Sequence, residues 1–153
     1  PLVNPAFPKY QLTGVFNLEL ARLYYYLFQK TASCFTVLYA LDGYDEISLT
    51  GATKAFSNKG ERVLIPQDFG VLAHQASTIA GGETVDSSAA IFTAILDNKG
   101  SQEQHNVVCA NAGMAIATAK DLSPIEGFEE AKASLESGEA LKAFKTLQKL
   151  SQS

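Results

Sequence analysis

Three acidic side chains lie close together in the first third of the sequence and are its strongest candidates for chemistry: Asp42, Asp45 and Glu46. Mg²⁺ prefers oxygen ligands, and it typically takes one or two protein carboxylates while water and substrate phosphates complete its shell. A pair such as Asp45 and Glu46 on a loop can turn both carboxylates toward one ion. An ordinary solvated acidic turn explains the same spacing, because such clusters are common on protein surfaces.

The other polar groups carry weaker signals. Residues 48–51 (SLTG) offer hydroxyl and backbone groups to a phosphate, but Ser, Thr and Gly are also what any loop requires. His74 and His105 have no neighbouring Asp/Ser or Cys arrangement, which indicates structural or surface roles rather than a triad or a zinc site. Gly81 and Gly82 precede a predicted helix, but the acidic residues after them would repel an anion, so they are interpreted as a structural break.

The elements before the acidic residues predict a strand, a helix and a second strand. Residues 11–16 include β-branched and aromatic residues typical of a strand. Residues 17–30 have apolar side chains at helical spacing behind an Asn17 cap, and Cys34–Ala40 is an apolar strand run. Such a unit makes a right-handed crossover in a parallel sheet, and ligands bind at the carboxyl ends of the strands. We therefore expect residues 41–48 at that edge, with the acidic pair in solvent.

The rest of the chain predicts a hairpin followed by helices. Two antiparallel strands are predicted at residues 53–56 and 61–65, joined by a turn at residues 57–60. Helical spacing and capping signals then predict helices at residues 85–96, from the Ser101 capping box through residues 107–119, from Ser123 to Gly138, and on to about residue 150. The predicted fold class is α/β, with a mainly parallel sheet, flanking helices and a carboxy-terminal helical run.

Composition narrows the function classes. A net charge of −4 with scattered Lys and Arg predicts no nucleic-acid surface, and no apolar stretch reaches the roughly 20 residues that span a bilayer. Cys34 and Cys109 have no metal-ligand spacing and are interpreted as buried thiols of a reducing compartment, which predicts a cytoplasmic protein. The chain begins at Pro1 rather than Met, so we expect it to be a piece of a longer protein.

Six segments resemble the anthranilate phosphoribosyltransferase family and occur in that family's order. They are residues 1–6 (PLVNPA), 10–16 (YQLTGVF), 42–51 (DGYDEISLTG), 66–70 (PQDFG), 111–112 (NA) and 137–140 (SGEA). Residues 42–51 are the most specific block, and the resemblance covers nearly the whole chain. The chain departs from the family at Tyr39 and Ala40, where many members have histidine and glycine, and at Ala52, where proline is usual.

The resemblance implies a function. Members transfer the phosphoribosyl group of phosphoribosyl pyrophosphate to anthranilate, giving N-(5-phosphoribosyl)anthranilate and pyrophosphate in tryptophan biosynthesis. Asp45 and Glu46 match the acidic pair that holds Mg²⁺ in the family, where the ion stabilises the pyrophosphate leaving group. The expected partners are these two substrates, and the family implies a homodimer for the parent enzyme while the oligomeric state of this chain stays open.

The resemblance also implies what this chain lacks. Residues 1–153 match the carboxy-terminal part of the large α/β domain, which is like that of nucleoside phosphorylases. The glycine-rich phosphate loop, an anthranilate-contacting arginine and the helical dimerisation domain lie upstream in the family, so we expect the chain by itself to be inactive. Two alternatives remain: a pyrimidine nucleoside phosphorylase-like enzyme, which does not need the acidic metal pair, and a non-catalytic homologue of the same fold.

Overall fold

The computed structural model describes residue 6 and residues 8–31 and 34–151. In these residues, four strands come first, with one helix after the first strand, and four helices follow. In chain order these are β1 (Tyr10–Gly14), α1 (Leu18–Thr31), β2 (Cys34–Ala40), β3 (Thr53–Ser57), β4 (Gly60–Leu64), α2 (Val85–Leu96), α3 (Gln102–Lys120), α4 (Pro124–Glu136) and α5 (Glu139–Ser151). Short 3₁₀ turns at Pro66–Phe69 and Ala76–Thr78 link the hairpin to α2. Residues 1–5, which carry most of the first resembling segment, lie outside the described part.

The described strands form one sheet in the order β1-β2-β3-β4. β1 and β2 are parallel, with Tyr10 opposite Cys34 and Gly14 opposite Leu38. β2 pairs antiparallel with β3, and β3 antiparallel with β4. The predicted α/β class, the strand-helix-strand unit and the hairpin are therefore confirmed.

The prediction of a mainly parallel sheet is wrong for the described strands, where two of the three pairings are antiparallel. The reason is the connection between β2 and β3. A parallel return needs a crossover, usually a helix, that carries the chain back across the sheet. Residues 41–52 contain no helix, so β3 starts at the edge where β2 ends and runs the opposite way.

Apolar side chains cover both faces of the sheet. On one face, Phe35 and Val37 of β2 pack against α1, and the rings of Phe28 and Phe35 lie 5.5 Å apart between centroids. On the other face, Leu38 packs with residues of α3 and α4 such as Met114. The alternation of a strand explains this division, because successive side chains point to opposite faces. β2 is buried along most of its length and is the central support for the loop that follows it.

Capping residues set where the later helices begin, as the sequence predicts. The side chain of Ser101 accepts a hydrogen bond from the Gln104 backbone, and that of Ser123 accepts one from the Glu126 backbone. Asn17 does the same for α1 by accepting from the Leu20 amide at 2.8 Å.

Among the described residues, no helix is both long and apolar enough to cross a membrane.

Helices α3 and α4 cross with their backbones in contact. A Cβ added at Gly113 would lie 2.6 Å from the Phe128 amide nitrogen, and one added at Gly127 would meet the Gly113 carbonyl. Glycine at both positions lets the two helices approach more closely than side chains allow. This contact fixes α3 firmly against α4, which matters because α3 also contacts the loop after β2.

We predict that Gly127→Ala lowers the free energy of unfolding by about 1–3 kcal/mol, because the new methyl group forces the two helices apart. Urea unfolding monitored by circular dichroism measures this change. Gly81→Ala is the matched control, since a Cβ at Gly81 meets no atom within 4 Å and its backbone is not left-handed. Equal stability of Gly127→Ala and Gly81→Ala would contradict the proposed close contact.

Candidate metal centre

The acidic residues lie on the loop formed by residues 41–52, which leaves the carboxyl end of β2 and returns as β3. Two backbone hydrogen bonds hold its base. The Ala40 amide donates to the Tyr44 carbonyl at 3.1 Å, and the Leu41 amide donates to the Ala52 carbonyl at 2.8 Å. Gly43 turns the chain between them with φ of 98°, a left-handed conformation that glycine adopts without strain. The loop therefore begins and ends at one edge of the sheet.

Side chains along the loop are sorted between solvent and core. Asp45 and Glu46 are exposed, as predicted. Ile47 and Leu49 are buried, with 2% and 1% of their surface exposed, and both belong to the core between the sheet and α3. Burying side chains of this size stabilises a protein by about 1.5–3 kcal/mol each. The two apolar residues thus hold the loop down while the acidic pair faces out.

Asp42 is separated from the acidic pair by its own hydrogen bonds. Its Oδ2 atom accepts from the hydroxyl of Ser48 at 3.1 Å and also from the hydroxyl of Thr50. The Ser48 hydroxyl in turn accepts from the Thr50 amide at 3.2 Å. These bonds tie the start of the loop to its far side and engage the hydroxyls of Ser48 and Thr50 within the loop. Asp42 therefore helps to shape the loop, whereas the carboxylates of Asp45 and Glu46 have no such bond among the described residues.

Gly14, at the end of β1, lies directly beneath the loop. A Cβ on this residue would overlap the backbone carbonyl oxygen of Asp45. The β1 backbone is held there by its neighbour, since the Val15 amide donates to the Leu38 carbonyl of β2 at 2.9 Å. The Asp45 backbone can occupy this position because residue 14 has no side chain. A glycine at the end of a strand was the sequence signal for such a close approach.

Two contacts from later in the chain also reach the loop. Asn111 on α3 bonds to both backbone groups of Ile47, and the backbone amide of His74 donates to the Leu49 carbonyl at 2.8 Å. Leu49 has φ of 60°, which is uncommon for a residue with a side chain, so its conformation depends on such contacts. The sequence predicted no role for Asn111 beyond its place in a resembling segment. The sequence does contain an indication of this role. Asn111 is a polar residue in a helix of mostly small apolar residues, and a polar group that becomes buried needs a hydrogen-bond partner.

Asp45 and Glu46 are the Mg²⁺ ligands that the sequence predicts. Within residues 8–31 and 34–151, no salt bridge or side-chain hydrogen bond involves either of them. The described part of the chain also holds no group of three or more His, Cys, Asp or Glu that could enclose a metal ion. Two exposed hard oxygen ligands suit Mg²⁺, which keeps several waters and takes further ligands from phosphates.

The other candidates from the sequence, His74, His105 and Gly82, make contacts that support the fold. The His74 ring lies 3.2 Å from the side-chain nitrogen of Asn106, and the buried Nε2 of His105 packs beside Gly100. Gly82 touches the first turn of α2, whose Ser88 hydroxyl donates to the Gly82 carbonyl, so this glycine is part of a structural break.

The two cysteines differ in exposure. Cys109 is buried, and loss of solvation raises the pKa of its thiol to about 11, so it stays protonated at neutral pH and is a poor ligand or nucleophile. Cys34 is partly exposed, and its thiol donates to the Thr118 carbonyl at 3.3 Å. The prediction of a buried thiol is thus confirmed for Cys109 and holds in part for Cys34.

Comparison with known proteins establishes the family. A sequence model described as "Glycosyl transferase family, a/b domain" matches residues 1–141, which is most of the chain. The chain belongs to this glycosyl transferase family. It is 65% identical over 152 residues to the anthranilate phosphoribosyltransferase of Christiangramia forsetii, and 60% identical over 151 residues to that of Flavobacterium psychrophilum. Each alignment covers 99% of this chain and 46% of the relative, so the chain spans about half the length of these relatives.

Solved structures share the fold. The anthranilate phosphoribosyltransferase of Thermus thermophilus superposes with a TM-score of 0.79 at 24% identity, over 87% of this chain and 40% of that chain. The Saccharomyces cerevisiae enzyme in complex with PRPP and Mg gives 0.79 at 22% identity, over 90% of this chain and 40% of that chain. The resemblance found in the sequence is confirmed by the relatives, and these structures show the same α/β fold.

We predict that Gly14→Ala displaces the acidic loop, because the added methyl group cannot share the position of the Asp45 carbonyl. The amide NMR signals of residues 42–48 should shift or broaden, and the free energy of unfolding should fall by about 1–3 kcal/mol. Gly81→Ala is the control, since a Cβ at Gly81 meets no atom within 4 Å and should change neither those signals nor the stability. Unchanged loop signals in Gly14→Ala would contradict the contact.

Proposed function

We propose that this chain forms the metal-binding part of an anthranilate phosphoribosyltransferase, and that Asp45 and Glu46 hold Mg²⁺ in it. The observation that carries the proposal is the exposed pair of carboxylates at the carboxyl edge of two parallel strands, unpaired by any described basic side chain. High identity to enzymes of that name supports the reaction, and the yeast enzyme's complex with PRPP and Mg supports the ion and one substrate. A yeast complex with 4-fluoroanthranilate supports the other.

The protein groups would act by position and charge. The carboxylates of Asp45 and Glu46 would orient Mg²⁺, with no described basic side chain competing for their charge. When bound, the ion supplies positive charge that stabilises the pyrophosphate leaving group as the ribosyl C–O bond breaks. Asp42 would act only indirectly, by holding the loop through the hydroxyls of Ser48 and Thr50.

The complete enzyme would need more than these 153 residues. We propose that its further residues supply the glycine-rich phosphate loop, the anthranilate site and the helical domain that forms a homodimer, and that the protein works in the cytoplasm in tryptophan biosynthesis. The chain's coverage of 46% of its relatives supports this division. Exposed apolar side chains near β1 and on α1, such as Phe16, Leu23 and Tyr26, are surfaces that additional chain would cover.

The test is Glu46→Gln in a complete enzyme, made by joining this chain to the part of the Christiangramia forsetii relative that it does not match. We expect kcat/KM at limiting Mg²⁺ to fall by about 100-fold with the fold intact, because the residue keeps its size and loses its charge. The measurement is the rate of phosphoribosylanthranilate formation across a Mg²⁺ series. Glu129, an exposed carboxylate on α4, gives the matched control Glu129→Gln, and we expect the 153-residue chain by itself to show no activity.

Unchanged kinetics of Glu46→Gln at limiting Mg²⁺ would remove the metal role. Phosphorolysis of a pyrimidine nucleoside that persists after Mg²⁺ depletion would instead favour the nucleoside phosphorylase alternative. A folded complete enzyme with neither activity would favour the non-catalytic homologue.

A further inference from the structure

The side-chain amide of Asn111 holds the acidic loop from the opposite layer of the fold. Its Oδ1 accepts a hydrogen bond from the Ile47 amide at 2.9 Å, and its Nδ2 donates to the Ile47 carbonyl at 2.8 Å. The second Nδ2 hydrogen goes to the Val107 carbonyl, one turn earlier on α3, at 2.9 Å. This network fixes the orientation of the amide, since turning it over would place Oδ1 against two carbonyl oxygens.

The point of attachment is the residue that follows the acidic pair. Ile47 comes directly after Glu46 and is 2% exposed, so its backbone groups have little access to water. Residues 41–52 form no helix or strand that could satisfy those groups internally. The Asn111 amide does so in the manner of a neighbouring strand, by offering one acceptor and one donor side by side. The direction in which the chain leaves Glu46 therefore depends on this clamp.

The clamp stands on a rigid base. Asn111 is two residues before Gly113, where α3 touches the α4 backbone, and it follows the fully buried Ala110. An uncharged amide also suits this place, because it bonds both backbone groups without adding charge beside two carboxylates. An aspartate could accept from the Ile47 amide but could not donate to its carbonyl, and it would add a third negative charge.

We propose that Asn111 is a positioning residue for the metal centre: it fixes the Ile47 backbone and thereby holds the Asp45 and Glu46 carboxylates in the arrangement that binds Mg²⁺. Asn111 itself does not contact the ion or a substrate in this account. The proposal rests on the proposed function of Asp45 and Glu46, and it adds a residue 64 positions away in sequence from the one it holds.

The experiment uses the 153-residue chain with Mn²⁺ as the probe. Mn²⁺ broadens the amide NMR signals of residues near it, so a titration gives both the location of the ion and its Kd. In Asn111→Ala, the Kd for Mn²⁺ at the acidic loop should rise by about tenfold. Hydrogen exchange of the Ile47 amide should also accelerate by at least about tenfold, because this amide loses its hydrogen-bond acceptor. The amides of β2 should keep their protection.

Thr118→Val is the matched control on the same helix. Thr118 is buried, and its hydroxyl bonds to the Thr36 hydroxyl of β2 at 2.7 Å, away from the loop. This variant also removes a buried hydrogen bond between α3 and the sheet, but it should leave the Kd for Mn²⁺ and the exchange of Ile47 unchanged. Asn111→Ser is the second variant, for use if Asn111→Ala does not fold, since a hydroxyl is too short to bond both Ile47 groups.

The outcomes separate the two claims. If wild-type chain binds Mn²⁺ at residues 45 and 46 and the Asn111 variant binds it equally well, the positioning role is overturned while the metal site stands. Equal losses in Asn111→Ala and Thr118→Val would also overturn it, because the effect would then be general destabilisation. If the wild-type loop signals do not respond to Mn²⁺, the proposed metal function fails and the positioning role fails with it.

Discussion

The contact between the Asp45 backbone and Gly14 is the constraint on which the acidic loop depends. β1 and β2 run parallel and in register, so the ends of both strands lie at one edge, where Gly14 is opposite Leu38. The loop that leaves β2 lies back over β1 and touches it where a side chain is missing. Close-packed atoms cannot overlap, so this contact sets the height of Asp45 above the sheet.

Other forces then fix the rest of the loop around that contact. Burial of Ile47 and Leu49 draws its second half toward α3, and hydrogen bonds from Asn111 satisfy the backbone that this burial removes from water. Asp42 closes the first half onto Ser48. Because apolar and polar contacts hold the neighbours of Asp45 and Glu46, the acidic pair needs no ion pair of its own. We propose that two carboxylates held in solvent in this way bind Mg²⁺.

The sequence predicted the position of the acidic pair because that position follows from local rules. An apolar run marks β2, and chain that follows such a strand falls at its carboxyl edge. The antiparallel return of β3 was missed, since strand direction depends on what crosses the sheet rather than on residue types. The roles of Gly14 and Asn111 were also missed, because each depends on a partner far along the chain. Sequence spacing also grouped Asp42 with the acidic pair. In the structure its carboxylate instead accepts hydrogen bonds from the hydroxyls of Ser48 and Thr50, and spacing alone could not predict those bonds.

The most direct test of the proposed metal site is anomalous scattering from crystals of a complete enzyme containing this chain, grown with Mn²⁺ in place of Mg²⁺ and with phosphoribosyl pyrophosphate. If Asp45 and Glu46 hold the ion, a Mn²⁺ peak should lie about 2 Å from carboxylate oxygens of both, with the remaining ligands from phosphate and water. A fully occupied peak elsewhere, with both carboxylates turned to basic side chains or to solvent, would contradict it.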